Sequence, residues 1–349
     1  MKVNSEIKAF VAIAKRFNSD AIKFNGNSLY TVTPNCRILL RLDGSSSIKE
    51  SFVIPISALE YVISFPENNE VNIKHEKGVI SLKCGRSRTK ITTVDRDFSE
   101  MPQKKSEAIV LSAEDVDSIK RVSTAASDRA PQPQATAVTL MESEGKVDVF
   151  AVDGYRLAYT QLKAKPFKNG ETNIKVPKRE LSAILSVFAK GCNLFETTDS
   201  RKVIFENDKF TVMIPMVYCN SMDYKSQFAV EGTKIWVNKS EMENALRRVL
   251  KFNSSVTAPI TILHFGEELK MEVKFLSYQG EESFTIEREQ KDNERKETVG
   301  INGNYLLDAL RSLTSEKISI VFRGSLTPLI MSDDNLKYLV VPIRIARES

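Results

Sequence analysis

Three segments of the chain share one spacing of apolar residues. They are FVIPISALEYVISF (52–65), IKVPKRELSAILSVF (174–188) and VGINGNYLLDALRSL (299–313). In each, a short β-prone stretch ends at Pro55, Pro177 or Asn302, and apolar residues follow four, seven and eight positions later. Because this spacing brings the apolar side chains to one face of a helix, each segment predicts a short strand followed by an amphipathic helix.

A second amphipathic helix is predicted in each copy, at VNSEIKAFVAIAKRF (3–17), LSAEDVDSIKRVSTAA (111–126) and VNKSEMENALRRVLKF (237–252). Each segment opens with an apolar residue, a small polar residue that can cap a helix, and an early glutamate. Alternating strands follow both kinds of helix, for example in EVNIKHEKGVISLKC (70–84) and RKVIFENDKFTVMIPMV (201–217). The chain is therefore predicted to be an α+β protein of three repeats.

The predicted domain boundaries lie in the polar stretches MPQKKSE (101–107) and KSQFAVEGTK (225–234). They divide the chain into domains 1–104, 105–230 and 231–349, each with two helices packed on antiparallel sheet. The first domain is shortened, because its two helical segments lie closer together along the chain than those of the other copies.

The composition is typical of a soluble globular protein, with 42% hydrophobic and 27% charged residues. No apolar run reaches the length of about 18 residues that a membrane span needs, and MKVNSEIKAF lacks the apolar core of a signal peptide. We therefore expect a cytoplasmic protein. The four cysteines are scattered and the two histidines lie in alternating strand patterns, so no metal, cofactor or catalytic residue is expected.

Basic pairs recur near the end of the first helix in all three copies. The net charge of +5 is small, because 50 Lys and Arg are nearly balanced by 45 Asp and Glu, so the position of the charges matters more than their sum. One interpretation is a solvated helix face with favourable charges at its C-terminal end. The other is a common basic surface for a phosphate backbone, contacted independently of sequence. The residues are Lys15, Arg16, Lys120, Arg121, Arg247 and Arg248, with Lys178, Arg179 and Arg311 on second helices.

The stretch FAVDGYRLAYT (150–160) interrupts an apolar, β-prone region with polar residues. Asp153-Gly154 between two such flanks predicts a hairpin turn. Such a turn also presents Tyr155 and Arg156 at the edge of a rigid sheet, which is suitable for a binding site.

Three motifs, taken in order, resemble the β subunit of bacterial DNA polymerase III, the sliding clamp family. CGRSRTKITTVDRDFSEMP (84–102) is similar to the end of that family's first domain, and DGYRL (153–157) is similar to its usual DGHRL. NYLLDALRSL (304–313) followed by YLVVPIRI (338–345) is similar to its C-terminal part. The resemblance spans the full length of the chain and identifies it as a divergent member.

In that family two chains join head to tail into a closed ring, with helices lining a hole for duplex DNA. The resemblance therefore implies three clamp domains that form half of a ring, a homodimer, and a non-enzymatic processivity role. It also implies that the basic helix pairs face DNA and that short peptide motifs tether a DNA polymerase and the clamp loader to the ring.

The resemblance further implies a cleft that receives those peptides, formed by the 153–157 turn, the loop MDYKSQF (222–228) and the C-terminal strand. Aliphatic walls with a few polar groups suit a Leu or Phe anchor of a partner peptide. Carried over by position, the cleft consists of Val152, Gly154, Tyr155, Arg156, Leu157, Met222, Ser226, Gln227, Tyr305, Val340, Val341, Pro342, Ile343 and Arg344.

Closure of a ring head to tail requires two different surfaces that fit each other. The strand with Arg86, Arg88, Thr89, Lys90 and Ile91 is basic, while GEESFTIERE (280–289) offers Glu281, Glu282, Glu287 and Glu289. The alternative is that both are ordinary charged edge strands that prevent aggregation. The sequence favours neither interpretation over the other.

Several positions depart from the family pattern. The first copy lacks a loop that meets DNA, SDRAPQPQATA (127–137) replaces positions that often carry aromatic residues, and residues 346–349 extend past the usual end. Thr89 stands where an apolar interface residue is common, and Val152, Met222 and Ser226 replace usual cleft residues. A second hypothesis is therefore a peptide-binding adaptor of clamp fold that does not encircle DNA. A hydrolase or transferase is disfavoured, because GxSxG, P-loop and HExxH motifs are absent from the sequence.

Overall fold

The computed structural model describes residues 1–43, 50–168, 171–220, 222–251, 259–275, 278–288 and 297–345. Its helices lie where the repeated pattern predicts them, two in each copy. The first helices are α1 (Ser5–Arg16), α3 (Ala113–Val122) and α5 (Lys239–Leu250), and the second are α2 (Ile56–Ile63), α4 (Lys178–Ile184) and α6 (Gly303–Ser312). The β-prone stretches before the second helices are strands that end at Pro55, Pro177 and Asn302, as predicted.

The first helix of each copy begins at a side-chain cap. Asn4 and Asn238 each accept a hydrogen bond from the backbone N–H three residues later, at 2.9 and 3.0 Å. In the second copy, Ser112 accepts from the N–H of Asp115, whose carboxylate accepts in return from the N–H of Ser112. These caps satisfy N–H groups that have no partner inside a helix, and the predicted cap residues are confirmed.

The strands follow the alternating segments of the sequence. Their bounds are β1 (Ala21–Asn25), β2 (Ser28–Thr33), β3 (Cys36–Arg41), β4 (Ser51–Pro55), β5 (Asn72–Glu76), β6 (Val79–Cys84), β7 (Ser87–Thr92), β8 (Ile109–Ser112), β9 (Ala137–Ser143), β10 (Lys146–Val152), β11 (Arg156–Gln161), β12 (Asn173–Pro177), β13 (Gly191–Glu196), β14 (Lys202–Glu206), β15 (Phe210–Pro215), β16 (Thr233–Asn238), β17 (Ile260–Phe265), β18 (Leu269–Phe275), β19 (Tyr278–Phe284), β20 (Glu287–Arg288), β21 (Glu297–Asn302), β22 (Lys317–Phe322), β23 (Leu329–Ser332) and β24 (Lys337–Val340).

The first of two compact units comprises Met1–Val116 and Lys163–Met216. Its main feature is an eight-stranded antiparallel sheet in the order β4-β1-β2-β3-β15-β14-β13-β8, accompanied by a three-stranded sheet, β5-β6-β7. Buried and half-buried residues alternate along β2 and β3, because one face of the sheet lies on the core. Within that core the rings of Phe24 and Phe52 stack with centroids 5.0 Å apart.

The second unit comprises Asp117–Leu162 and Val217–Ser349. A long antiparallel sheet runs in the order β9-β10-β11-β24-β23-β22-β16-β20, and a four-stranded sheet runs β19-β18-β17-β21. Helices α5 and α6 pack against each other. The core contains stacked Phe265 and Phe322 rings, with centroids 3.8 Å apart, and a fully buried Tyr338.

Each long sheet combines strands of two neighbouring sequence repeats. In the first unit β3 pairs with β15, and in the second β11 pairs with β24. The two compact units therefore cut across the three predicted domains, whose boundaries at 104/105 and 230/231 stay a prediction. The predicted α+β class, with pairs of helices on antiparallel sheet, is confirmed.

No helix within the described ranges is long and apolar enough to cross a membrane. The described residues also contain no cluster of three or more His, Cys, Asp or Glu that could hold a metal ion. Cys36, Cys84 and Cys192 are buried, and burial raises the pKa of the Cys192 thiol to about 12. The Cys192 thiol is therefore protonated at neutral pH, and all three side chains pack as small apolar groups.

Asp333 joins the end of α6 to the turn between β23 and β24. Its Oδ2 accepts hydrogen bonds from the backbone N–H groups of Thr314 and Ser315 at 2.6 and 3.3 Å. Its Oδ1 accepts from the N–H groups of Asn335 and Leu336 at 2.9 and 2.8 Å. Burial alone would raise the pKa of Asp333, but these bonds hold it below its usual range.

Replacement of Asp333 by Ala is expected to lower the free energy of unfolding at pH 7 by about 1.5–3 kcal/mol, because four N–H groups lose a charged acceptor. A depressed carboxyl pKa contributes stability above the unfolded-state pKa of about 4, and that contribution is lost as the pH falls through the lower folded-state pKa. The penalty should therefore be constant between about pH 5 and 8 and shrink below about pH 4. Urea unfolding across this range measures it, with exposed Asp334→Ala as the control. An equal penalty in both variants would contradict the assignment.

Candidate peptide-binding site

The predicted hairpin turn lies between β10 and β11. The Asp153 Oδ1 atom accepts hydrogen bonds from the N–H groups of Tyr155 and Arg156 at 2.9 and 3.1 Å, and the Asp153 N–H donates to the Arg156 carbonyl at 3.2 Å. Gly154 adopts φ +91°, a conformation that strains residues with a side chain. A Cβ there would meet nothing within 4 Å, so the backbone angle and not space requires glycine.

Arg156 is buried, with 8% of its surface exposed, and it binds one carboxylate of the turn and one of α6. Its Nε donates to Asp153 Oδ2 at 2.8 Å and its Nη1 to Asp308 Oδ2 at 2.5 Å. The guanidinium also lies over the Tyr305 ring, 4.4 Å from the centroid. Burial alone would lower the pKa of Arg156, but interactions with Tyr338, Asp308 and Asp153 raise it. Arg156 thus ties the turn to α6, with its Nε and Nη1 donors bound to carboxylates of the same chain.

Tyr155 is the exposed member of the turn, with 62% of its surface accessible. Its ring stacks on that of Tyr305, with centroids 6.2 Å apart and planes inclined by 28°. The Tyr155 carbonyl accepts a hydrogen bond from the Val341 N–H at 2.8 Å. The turn, α6 and the C-terminal strand therefore form one wall of exposed aromatic and aliphatic surface.

The C-terminal strand β24 extends the sheet beside β11. Arg156 pairs with Val340, which is fully buried, while Val341, just beyond the strand, is 37% exposed. Pro342 and Ile343 are half-buried, and the Ile343 N–H donates to the Gly300 carbonyl at 2.7 Å. Arg344 is exposed near the end of the described chain.

A separate apolar cluster occupies the other face of the same strands. Side chains alternate along β11, so Leu157 points away from Arg156 and packs with Phe150, Tyr224 and Leu339. The predicted cleft residues Val152 and Met222 pack on the edge of this cluster and are partly buried. Leu157, Val152 and Met222 are thus brought together, and their part in a peptide cleft stays a prediction.

Asp148 anchors the loop that carries Met222. It is fully buried and accepts hydrogen bonds from the hydroxyl of Tyr224 at 2.6 Å and of Tyr159 at 3.3 Å. The ammonium of Lys225 lies 3.0 Å from its carboxylate. Burial, and then the charge of Asp148, raise the pKa of Tyr159 to about 12. A buried carboxylate is stabilised only by such partners, so Asp148 fixes the loop to β10 and β11.

Ser226 and Gln227, also predicted to line the cleft, are exposed in a 3₁₀ turn. Ser226 donates its N–H to Asp223 at 3.2 Å, and Gln227 donates to the Ser226 hydroxyl at 3.4 Å. Their hydrogen bonds therefore hold the shape of their own turn.

The predicted DNA-facing cations differ in what they bind. Lys15 pairs with Glu60 at 2.5 Å, Arg247 with Glu243 at 2.5 Å, and Arg248 with Glu282 at 2.9 Å. Half-buried Arg121 pairs with Asp117 at 3.0 Å and donates to the Ser312 carbonyl at 3.2 Å. Lys178 is half-buried. Exposed cations without an ion pair within the part of the chain that the structure describes are Arg16, Lys120 and Arg179.

The predicted dimer surfaces lie on edge strands. Among the described strands, β7 is the last of its three-stranded sheet and β19 the last of its four-stranded sheet. Arg86, Arg88 and Lys90 are exposed, while Thr89 and Ile91 are half-buried. The acidic residues of the other surface pair within the chain: Glu281 with Lys270, Glu282 with Arg248 and Glu287 with Lys317. Glu289 and residues 346–349 lie outside the described residues.

Comparisons with known proteins find similar chains. Residues 230–344 match the family described as DNA polymerase III beta subunit, C-terminal domain. The beta sliding clamp of Staphylococcus epidermidis is 22% identical over 308 residues, covering 84% of this chain and 80% of that protein. That of Streptococcus pneumoniae is 22% identical over 320 residues, covering 88% and 82%. Residues 230–344 therefore belong to the DNA polymerase III β-subunit family, and the chain over most of its length is similar to beta sliding clamps.

Solved structures show the same fold. The β subunit of DNA polymerase from Streptococcus pyogenes superimposes with a TM-score of 0.86 at 16% identity, covering 99% of both chains. The DNA polymerase III β subunit of Pseudomonas aeruginosa does so with a TM-score of 0.80 at 18% identity, also covering 99% of both. The fold of the β-subunit family is therefore retained although few residues are shared.

Four residues at the site were missed by sequence reasoning: Asp148, Asp153 as a ligand of Arg156, Tyr224 and Asp308. Asp308 stands three residues after Tyr305 on α6, so the two share a helix face. Asp148 is an acid inside the apolar strand VDVFAV. A lone carboxylate in a buried strand indicates a buried polar network, and this signal was available.

Replacement of Asp308 by Asn is expected to lower the free energy of unfolding by about 1–3 kcal/mol, because the buried Arg156 guanidinium loses one of its two carboxylate partners. Urea unfolding measures the change. Glu316→Gln, which alters an exposed residue, serves as the control and should stay within about 0.5 kcal/mol of the parent chain. A loss for Asp308→Asn no larger than that of the control would show that Arg156 does not depend on Asp308.

Proposed function

We propose that this chain is a sliding clamp, a non-catalytic processivity factor that encircles duplex DNA as a head-to-tail homodimer and tethers a DNA polymerase through a peptide cleft. The observation that carries the proposal is the exposed wall formed by Tyr155, Tyr305 and Val341 at the turn between β10 and β11. Membership of residues 230–344 in the β-subunit family supports it. The protein would act in the cytoplasm, with the clamp loader as a further partner and without a cofactor.

The chemistry of the cleft suits short peptides with apolar anchors. Val341 and Tyr155 are exposed, although both belong to segments fixed by hydrogen bonds. An exposed apolar surface on a rigid support gives affinity at little entropic cost, because few groups must be ordered on binding. Partner side chains such as Leu or Phe would cover this surface.

The edge strands support the proposed ring. A free edge offers unpaired N–H and C=O groups to a second chain, and β7 with β19 would supply two such edges of opposite charge on each copy. Joining β7 of one copy to β19 of another is a heterologous contact, which closes into a ring when its rotation permits. The three domains 1–104, 105–230 and 231–349 would then form half of that ring.

The cations on the helices support sequence-independent contact with DNA. Arg16, Lys120 and Arg179 are exposed, whereas Arg121, Arg247 and Arg248 pair within the chain. Contacts between DNA phosphates and these cations contribute a modest binding free energy, which becomes weaker as the salt concentration rises. Weak contacts of this kind permit sliding, while a closed ring prevents escape.

A second function is favoured by one observation. Glu281, Glu282 and Glu287 each pair with a cation of their own chain, which reduces the charge that they offer to a partner. A chain that binds peptides through the same cleft but does not close into a ring would be an adaptor of clamp fold.

Molecular mass and retention on DNA separate these functions. We expect light scattering at micromolar concentration to give the mass of a dimer, and the loaded protein to stay on closed circular DNA until the circle is linearised. Replacing both Arg88 and Lys90 by Glu should give monomers that are not retained, because like charges would then face each other. Lys74→Glu with Lys83→Glu makes the same charge change on β5 and β6 of the same sheet, outside β7, and should leave the dimer intact. A monomeric parent chain that leaves circular and linear DNA equally fast would refute the clamp.

Binding of a peptide with Leu and Phe anchors tests the cleft. Tyr155→Ala and Val341→Ala should each weaken binding about tenfold in calorimetry, because central aromatic and aliphatic anchors carry much of such affinity. Tyr218→Ala removes another tyrosine of the same unit, 80% exposed, and should leave the affinity unchanged. Unfolding midpoints equal to that of the parent chain would show that the variants are folded. Unchanged affinity in both cleft variants would place the peptide elsewhere.

A further inference from the structure

A cleft of about 380 Å³ in the first unit includes two of the predicted DNA-facing cations, Arg16 and Arg179, in its lining. Three pieces of the unit line it: the end of α1, the turn between β2 and β3, and the start of α4. Helices α1 and α4 pack near each other, so the walls of the cleft belong to regular elements.

The end of α1 gives the cleft its first wall. The N–H of Phe17 donates to the Ile13 carbonyl at 3.1 Å, and that of Asn18 donates to the Lys15 carbonyl at 2.9 Å. Asn18 has φ +56°, a left-handed conformation that ends helices. The chain turns away at this point, which leaves Arg16, Phe17 and Asn18 along the cleft.

The opposite wall is a tight hairpin. Thr33 pairs with Cys36, so Pro34 and Asn35 alone connect β2 and β3. Pro34 and Asn35 both line the cleft. They add a rigid apolar ring and an amide that donates and accepts hydrogen bonds.

Two arginines converge on the cleft from different helices, Arg16 from α1 and Arg179 from α4. Both are exposed, and within the described ranges neither forms an ion pair with a carboxylate at 4.0 Å or less, Glu180 of the same lining included. They differ in this from Lys15, which Glu60 binds at 2.5 Å. Guanidinium groups with unoccupied donors match the oxygens of a phosphate.

The size of the cleft exceeds what a phosphate alone would fill. A half-buried aromatic ring, Phe17, and the amides of Asn18 and Asn35 stand beside the two arginines. Aromatic faces stack unpaired bases and amides bond to base edges, while arginines hold the backbone. A base inside a duplex is already stacked and paired and cannot enter a recess of this kind, whereas an unpaired base can.

We propose that this cleft binds one nucleotide unit of single-stranded DNA, with Arg16 and Arg179 on its phosphate and Phe17 against its base. The inference rests on the proposed function for its source of single strand, since a clamp on a primed template lies next to unpaired template. The cleft would hold the template strand beside the duplex in the ring.

The test is fluorescence anisotropy of a labelled oligothymidylate with the full-length chain at several salt concentrations. Arg16→Ala with Arg179→Ala should weaken binding about tenfold and reduce the slope of log affinity against log salt by about 0.7 for each phosphate no longer neutralised. Phe17→Leu should weaken binding about fivefold or more with the salt slope unchanged, because stacking and not charge is lost. Lys190→Ala with Arg201→Ala removes equal charge from exposed positions outside the cleft and should change affinity less than about twofold.

Three results would overturn the proposal. One is that the variant with Arg16→Ala and Arg179→Ala binds the oligonucleotide as tightly as the control variant with Lys190→Ala and Arg201→Ala. Another is a duplex of the same length bound as tightly as the single strand and insensitive to Phe17→Leu. The third is displacement of the oligonucleotide by deoxythymidine monophosphate at an equal nucleotide concentration, which would show a site for free nucleotides.

Retention on circular DNA keeps this test separate from that of the ring. If the parent chain is retained on circles but the arginine and phenylalanine variants bind oligothymidylate as tightly as the parent, the clamp proposal stands and the cleft proposal is wrong. If the variants weaken oligothymidylate binding as expected but the parent chain is not retained on circles, the cleft proposal stands and the ring proposal is wrong.

Discussion

The buried guanidinium of Arg156 is the constraint on which the candidate site depends. It holds Asp153 of the hairpin turn and Asp308 of α6, and it covers the ring of Tyr305. An arginine 8% exposed cannot lose its carboxylates without leaving an uncompensated charge, which costs several kcal/mol. The turn, the helix and the strand that begins at Arg156 must therefore stay together. The positions of Tyr155 and Val341 follow from that requirement.

The strand geometry then gives β11 a polar support on one face and an apolar cluster on the other. Because side chains alternate, Arg156 faces α6 while Leu157 faces the cluster with Tyr224 and Leu339. Asp308 holds the turn through Arg156. Asp148 holds the 222–228 loop in a similar way, because it accepts a hydrogen bond of 2.6 Å from the hydroxyl of Tyr224. Asp148 is fully buried and Asp308 is partly exposed, and the segments that they hold carry apolar side chains at the surface. A surface supported in this way is ordered before a partner arrives, so binding loses less conformational entropy.

Local patterns predicted the helices, their caps and the Asp153-Gly154 turn, because periodicity and turn chemistry act over a few residues. The partners of the charged groups could not be predicted, since they depend on long-range pairing. Arg248 and Glu282 show this clearly: the sequence assigned them to different surfaces, and the structure joins them at 2.9 Å. The pairing of β3 with β15 likewise merges strands of two repeats into one sheet. Repeats in sequence therefore need not be the compact units of the fold.

The same internal ion pairs bear on how a ring could close. Glu281, Glu282 and Glu287 would have to exchange Lys270, Arg248 and Lys317 for cations of β7 on a second copy. Exposed pairs of this kind are each worth about 0–1 kcal/mol, so an exchange between them gains little. The stability of the proposed dimer would then depend on backbone hydrogen bonds between β7 and β19 and on burial of half-buried Thr89 and Ile91. Charge would select which edges meet, and the apolar and backbone contacts would decide how long they stay joined.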